Sequence, residues 1–313
     1  MLPALALALA LLACSVQIDT TNPSPISITD TLVTSNTVTE MPTLPSLTPS
    51  PTPTSGPALS LDSLRNATYY APFYGRIVTL VNGSYSEGSG ATAYSVQMLD
   101  IHALGDLNGD GKVDAAVILA ENGGGTGVFE SIVAVIDLGG APHQIGQVQL
   151  GDRILVNSAD ISLSVIHLNM IVHGPNDPAC CPSQAEVQSF WLLGNNLWLM
   201  RVTSGHTGVE RSINITYPAN WVDVTNPFTV NGDVPISPFE NTMNYALFLP
   251  DGTKVNETSI LVSSAGMGTP GTFSQTLNLS SAGITGLVVI QFKDLSAADG
   301  SILALDSVVV NMH

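Results

Sequence analysis

The residues most able to do chemistry lie in a short acidic run, residues 106–114, with the sequence DLNGDGKVD. Side chains that carry oxygen recur at its positions 1, 3, 5 and 9, which are Asp106, Asn108, Asp110 and Asp114. Such oxygens converge on one point only where the chain curls tightly, and a Gly at position 6 permits that turn. The backbone carbonyl of Lys112 would supply a further ligand. This donor set predicts a calcium site, and the alternative is an acidic turn held by Asx hydrogen bonds without metal.

The spacing is that of an EF-hand calcium loop, and it also resembles the acidic loops of integrin-type β-propeller and adhesin repeats. At position 12, where an EF-hand has a bidentate Glu, this chain has Val117. The flanking residues have the pattern of strands rather than helices. The sequence therefore predicts a calcium-type loop between strands, with weakened affinity unless Asp100 or Glu121 completes the coordination.

The chain has three cysteines, Cys14, Cys180 and Cys181. The adjacent pair lies in HGPNDPACCP, residues 173–182, where three prolines and a Gly predict a rigid loop. In an oxidising compartment such a pair either forms a vicinal disulfide or stays free. A catalytic Cys needs a positioned base, and none is evident. We therefore interpret this segment as a structural loop.

Cys14 follows an apolar run, residues 2–12, and a small residue, Ala13. The run is shorter than the roughly 20 residues that span a bilayer, and it is typical of a cleaved signal. Together with Leu11, the segment resembles the lipobox of bacterial lipoproteins, although no Lys or Arg occurs before Arg65. The prediction is a signal peptide over 1–13 and lipidation of Cys14, with an ordinary secretory signal as the alternative.

Residues 14–58, which we name the tether, are rich in Thr, Ser and Pro. Eight prolines lie between residues 15 and 60, with no Lys or Arg. This composition lacks the apolar mass that repays the entropy of ordering, so it predicts a disordered segment with polyproline character. The expected location is extracytoplasmic, on a cell membrane or cell surface.

Composition excludes several classes of function. The formal net charge is −17, from 25 acidic and 8 basic residues, which argues against nucleic acid and against docking on anionic lipid through a basic patch. The Gly-rich segment 123–127 lacks the G-K-[ST] ending of a P-loop and does not fit a Rossmann fingerprint, so no nucleotide is expected. The Ser-x-x-Lys, G-x-S-x-G and H-E-x-x-H motifs do not occur. The enzymatic alternative is a hydrolase near Asp106, Asp110 and His173.

The fold class is predicted as mainly β, because charged residues make up only 11% and β-branched and turn-forming residues are abundant. Residues 59–205 predict an antiparallel β domain that opens with a short helix at 60–66. Residues 211–313 contain about seven strands, the signature of an immunoglobulin-like sandwich, here without a Cys pair to bridge its sheets. Trp191 and Trp198 flank a hairpin and are expected to pack across strands rather than bind sugar.

Two resemblances refine these domains. The segments GDLNGDGKVDAAVIL, ENGGGTGVF and HGPNDPACCPSQ resemble an uncharacterised domain of bacterial lipoproteins over residues 59–202, which implies no activity. The segments INITYPANWVDVTNPFTVNGDV and FKDLSAADGSILALDSVVV resemble the immunoglobulin-like domain named for bacterial spore germination. That resemblance implies an extracytoplasmic adhesion or assembly module and supplies no catalytic residue.

The expected function is therefore non-enzymatic: a lipid-anchored envelope protein with an interaction, adhesion or assembly role, stabilised by calcium. An envelope protein or a cell-wall glycan is the expected partner. The alternative is a peptide- or glycan-binding module that acts through the loops of the first domain, and a hydrolase is the least favoured.

Overall fold

The computed structural model describes residues 58–206, 209–279 and 283–313. The predicted signal peptide, Cys14 and residues 14–57 of the tether lie outside the described residues. The chain first forms a short helix, α1 (Leu61–Arg65), which confirms the helix predicted at 60–66. Ser60 and Ser63 cap it reciprocally, each hydroxyl accepting the other residue's backbone amide at 3.1 and 3.0 Å. Within the described ranges, no helix is long and apolar enough to cross a membrane.

The first half of the chain is antiparallel β-structure. Strands β1 and β2 pair with each other, β3 to β7 form a five-stranded meander, and β8 to β11 form a second meander. Their bounds are β1 (Thr68–Ala71), β2 (Arg76–Thr79), β3 (Ser84–Glu87), β4 (Tyr94–Gly105), β5 (Asp114–Asn122), β6 (Phe129–Asp137), β7 (Pro142–Asp152), β8 (Leu155–Ser162), β9 (Val165–Val172), β10 (Gln184–Leu193) and β11 (Asn196–His206).

Two apolar layers hold this half together. Ile118, Ile132 and Phe190 are buried between the two meanders. On the opposite face of the five-stranded sheet, Leu64 and Tyr69 of the opening segment are buried against it. The central strand β5 is therefore covered on both faces, which explains why its sequence is apolar almost throughout.

The second half is a two-sheet β-sandwich. Strands β13, β15, β19 and β18 form one sheet, and β17, β16, β20 and β21 lie in the other. Their bounds, with two short additional strands, are β12 (Val209–Arg211), β13 (Asn214–Tyr217), β14 (Val222–Val224), β15 (Phe228–Val234), β16 (Thr242–Phe248), β17 (Lys254–Leu261), β18 (Ser263–Ser264), β19 (Gly271–Leu277), β20 (Gly286–Leu295) and β21 (Ile302–Met312). An apolar core that includes Val230, Leu247 and Phe292 fills the space between the sheets.

The two halves share a sheet. Strand β21 pairs with β20 on one side and with β11 on the other, where Arg201 is opposite Asp306 and Val202 is opposite Leu305. The strand order is β17-β16-β20-β21-β11-β10-β9-β8. All described residues fall within one compact unit. Each half has its own core, and the continuous sheet connects the two.

The hairpin of β10 and β11 covers the outer face of the sandwich. Trp191 and Trp198 are directly opposite each other in this hairpin. The Trp191 ring stacks with Trp221, with 5.7 Å between ring centroids, and the Trp198 ring meets Phe248 edge-on, with 5.6 Å between centroids. Beneath them Val289 is fully buried. The two tryptophans therefore pack across the junction between the halves.

Candidate functional site

The acidic loop joins β4 to β5. Leu107 anchors it by inserting into the apolar core, where it is only 3% exposed. Gly109 and Gly111 adopt left-handed conformations, with φ of 78° and 80°, which an L side chain would strain. These two glycines allow the tight curl that the spacing predicts.

The side chains of the loop accept hydrogen bonds from its own backbone. Asp106 accepts from the amides of Gly109 and Gly111 at 2.7 and 2.9 Å. Asp110 accepts from the amide of Lys112 at 2.9 Å, and the Lys112 ammonium lies 3.3 Å from its other oxygen. The backbone bond, followed by the ammonium, lowers the pKa of the Asp110 carboxyl. The loop therefore has the Asx hydrogen bonds that the metal-free alternative requires.

Asp114 is fully buried and has a different role. Its two carboxylate oxygens accept from the backbone amides of Leu107 and Asp137, each at 2.9 Å. Burial raises the pKa of this carboxyl, and the two amide bonds oppose that effect. Asp114 thus ties the acidic loop to the end of β6.

The predicted ligand set is not drawn together as a cluster of acids. Among the described residues, no three His, Cys, Asp or Glu side chains meet in an arrangement that could hold a metal. Asp100 instead pairs with Arg65 at 2.7 Å. Glu121 lies at the far end of β5 from the loop, about 23 Å along the strand at ~3.3 Å per residue. Neither carboxylate can complete the coordination. The fifth predicted ligand, Asp114, is fully buried, and its two oxygens accept the amides of Leu107 and Asp137. The donors outside that buried position are the oxygens of Asp106, Asn108 and Asp110 and the Lys112 carbonyl.

The loop between β9 and β10 carries the adjacent cysteines. Asp177 closes it by accepting from the amides of Gly174 and Ser183 at 2.8 and 2.7 Å, and from the Ser183 hydroxyl at 2.8 Å. These bonds, that of Gly174 first, lower the pKa of the Asp177 carboxyl. Cys180 and Cys181 are exposed and are joined as a vicinal disulfide.

The side chains of the hydrolase alternative lie apart. The acidic loop follows Gly105, which packs against Ile161 so closely that an added Cβ would lie 2.6 Å from its side chain. Ile161 pairs with Ile166 near the beginning of β9, whereas His173 follows the last residue of that strand. Seven residues of extended chain separate His173 from Ile166, or about 23 Å at ~3.3 Å per residue. Asp106 and His173 therefore do not form one site.

Two buried glutamates were not singled out by the sequence reasoning. Glu130 and Glu186 are each only 6% exposed, and burial raises the pKa of both carboxyls to about 7. The carboxylate of Glu186 accepts one hydrogen bond, from Gln188 Nε2 at 2.6 Å. The sequence carries no signal for this position, because ordinary alternation would turn Val187 rather than Glu186 inward. In the structure Val187 is instead 39% exposed.

An aromatic group lies exposed beside the Gly-rich hairpin of β5 and β6. Phe73 and Tyr74 are 40% and 42% exposed. The Phe73 ring stacks on Phe129, with 3.4 Å between the ring centroids. Glu121 holds this turn by accepting from the backbone amides of both residues at 2.9 and 3.2 Å. Gly123 passes so close to Tyr74 that an added Cβ would lie 2.3 Å from the phenolic oxygen.

Comparison with known families bears on the second half of the chain. Residues 212–301 match the family described as the immunoglobulin-like domain of bacterial spore germination. The C-terminal sandwich is therefore immunoglobulin-like, which confirms the prediction for this domain. Comparison with curated proteins gives no match. The lipoprotein-type identity of the first domain stays a prediction.

Proposed function

We propose that this chain is a lipid-anchored extracytoplasmic protein with a non-enzymatic role in interaction, adhesion or envelope assembly. The observation that carries the proposal is the shared sheet, in which β21 of the immunoglobulin-like domain pairs with β11 of the first domain. Because the aromatic contacts of Trp191 and Trp198 reinforce that pairing, the first domain is held in a fixed orientation on the second. Two β domains held rigidly suit the presentation of loops to a partner. The strongly acidic composition argues against nucleic acid as a partner.

The anchor is assigned to Cys14. A single acyl chain binds membranes only marginally, so the two or three chains of a bacterial lipoprotein would be needed for lasting attachment. Metabolic labelling with an alkyne analogue of palmitate, followed by membrane fractionation, tests this. The full chain should incorporate the label and sediment with membranes, and Cys14→Ser should do neither. Retention of label by Cys14→Ser would contradict the anchor.

Calcium is proposed to bind at the acidic loop through Asp106, Asn108, Asp110 and the carbonyl of Lys112. Carboxylate, amide and carbonyl oxygens are the ligands that Ca²⁺ prefers. The Asp110 and Asn108 side chains lie at the exposed side of the loop, and an oxygen that accepts one amide keeps a second lone pair. Asp114 would contribute indirectly, because it fixes the loop to β6. A bound cation would neutralise the repulsion between the loop carboxylates.

A thermal-melting series tests the calcium proposal. Chelator-treated protein should gain melting temperature on addition of millimolar Ca²⁺, and Asp110→Ala should abolish that gain. Asp251→Ala, which changes an Asx-type turn in the other domain, is the matched control because Asp251 also accepts a backbone amide two residues on. An unchanged melting temperature at millimolar Ca²⁺ would remove the site.

A second candidate function is recognition of a peptide or glycan by the first domain, which the exposed pair Phe73 and Tyr74 favours. Aromatic faces offer large contact area to sugars and to apolar side chains at low entropic cost. A pull-down with purified cell wall tests it. Phe73→Ala and Tyr74→Ala should weaken retention, whereas Phe239→Ala, which removes a 57% exposed ring of the other domain, should not. Equal retention of all three variants would refute this role.

A further inference from the structure

A cavity of about 380 Å³, with polar and aliphatic walls, lies between the two meanders of the first domain, where β7 faces β10 and β11. This volume falls within the range of ~300–1,000 Å³ that small-molecule sites occupy. Polar side chains from two strands line it, namely Gln149 and Asp152 on β7 and Gln184, Glu186 and Gln188 on β10. Ser301 and Ile302, at the start of β21, close one side.

At this cavity the polar residues of β10 face inward and its apolar residue faces outward. A strand of a sandwich ordinarily turns its apolar residues inward. Here Gln184 and Glu186 point inward and are 8% and 6% exposed, whereas Val187 faces outward. Further along the same face Phe190 is fully buried in the apolar core, so the reversal is confined to the cavity. Polar groups that are buried without full pairing cost stability, and such departures from core patterning mark functional sites.

Glu186 is the polar group that lacks a sufficient partner. Its carboxylate has Gln188 Nε2 as its one hydrogen-bond donor among the described residues, and no cation of that part of the chain pairs with it. The basic side chain beside the cavity, Arg153, donates from Nε to both oxygens of Asp152 at 3.0 Å. The second carboxylate oxygen of Glu186 is therefore open to a donor from a ligand.

The remaining walls define the rest of that ligand. Apart from Gly151 and His173 they are aliphatic, and the aliphatic members are Leu150, Ile154, Val172, Leu199, Val202 and Ile302. A primary ammonium carries three N–H donors, which can reach a carboxylate and neighbouring amide oxygens together. A short alkyl chain attached to it would pack on the aliphatic residues. A neutral alcohol would leave the carboxylate of Glu186 without a counter-charge.

We propose that this cavity binds a small alkylammonium ion, whose positive charge pairs with Glu186 and whose alkyl chain lies against the aliphatic wall. The inference does not depend on the lipid anchor, on calcium or on the interaction role proposed above. The high pKa of the carboxyl agrees with it, since a buried acid without a cation partner holds its proton more tightly.

The test uses n-butylammonium chloride and n-butanol, which differ in charge and little in size. The full chain is purified in detergent and titrated with each by calorimetry at pH 8. Butylammonium should bind at least about tenfold more tightly than butanol, and Glu186→Gln should lose about tenfold or more of the butylammonium affinity. The matched control, Glu210→Gln, removes the same charge from an exposed position and should change nothing.

Two further measurements distinguish a loss of binding from a folding defect in the variant. Nuclear Overhauser contacts should connect the butyl protons to the methyl groups of Leu199 and Ile302 in the unmodified chain. Binding should also weaken from pH 8 to pH 5, because the ligand stays charged while Glu186 takes up a proton. The other ionisable groups around the cavity are Asp152, Arg153 and His173, and Glu130 accepts from the amide of the lining residue Ile154. Glu130→Gln should leave the pH dependence of binding in place.

The proposal is overturned by any of three results: no binding of butylammonium, equal affinities for butylammonium and butanol, or unchanged affinity in Glu186→Gln. Absence of contacts to Leu199 and Ile302 would place the bound amine elsewhere and would overturn it equally.

Discussion

Replacement of Glu186 by Gln should remove a pH-dependent loss of stability. Burial raises the pKa of the Glu186 carboxyl from 4.5 to about 7, and the Gln188 bond opposes this only in part. Because the folded-state pKa lies above the unfolded value, the stabilising effect of the proton is complete below pH 4.5. It is lost as the pH rises through 7. At 1.36 kcal/mol per pH unit, that interval corresponds to about 3 kcal/mol.

Urea unfolding at pH 5 and pH 8 measures this effect. Gln has nearly the same size as Glu and keeps an oxygen that can accept from Gln188. The variant and the unmodified chain should therefore have similar free energies of unfolding at pH 5. At pH 8 the variant should be more stable by about 3 kcal/mol, since it buries no charge.

Controls separate Glu186 from the other buried acid. Glu130→Gln should give its own gain at pH 8, because burial raises the pKa of the Glu130 carboxyl to about 7 as well. Glu210→Gln, at an exposed position, should have little effect at either pH. The reasoning would be refuted if Glu186→Gln matched the unmodified chain at pH 8, or if its gain were the same at both pH values.

Three further substitutions probe the loop, the ion pair and the junction. In the presence of chelator, Asp114→Ala should lower the free energy of unfolding by about 2–6 kcal/mol, because two buried amides lose their acceptor at ~1–3 kcal/mol each. An unchanged midpoint of urea unfolding would contradict this. Arg211→Met should lower the free energy of unfolding by about 3–5 kcal/mol, because it leaves the buried Asp294 without its cation. The double variant with Asp294→Leu should recover most of that stability. Trp198→Ala should lower the free energy of unfolding by about 3 kcal/mol, and the two domains should then unfold in separate calorimetric transitions. A single transition at an unchanged temperature would refute the role of this ring at the junction.

Local chemistry determined how much of the fold the sequence could predict. The helix at 60–66 was predicted correctly, and its N-terminal end is set within the segment itself by the reciprocal caps of Ser60 and Ser63. Asn82-Gly83 is a dipeptide typical of a hairpin turn. A turn forms there, with both residues in the left-handed conformation. The strands beside it nevertheless separate after one bridge, Val81 to Ser84, because β2 pairs with β1 and β3 pairs with β4. Turn residues fix a chain reversal, whereas partners along a strand depend on packing elsewhere.

The candidate site was less predictable, since its geometry depends on distant residues. The spacing at 106–114 indicated an acidic loop between strands, and the chain forms one. It gave no sign that Asp114 would bind the amide of Asp137, which belongs to another strand 23 positions later. The inward position of Glu186 depends likewise on the register of β10 against β9, where Glu186 lies opposite Met170. A shift of one residue would have placed Val187 inside instead.

The junction between the domains and the cavity at Glu186 depend on the same strands. Residues 287–290 of β20 read Leu-Val-Val-Ile without alternation, and a strand covered on both faces has this pattern. The β10–β11 hairpin covers the outer face of β20, and other residues of these two strands line the cavity. Val202 lines the cavity and pairs with Leu305 of β21, and Ile302 of that strand also lines it. The first domain alone would therefore lack one wall, so the sheet that joins the two domains also completes the cavity.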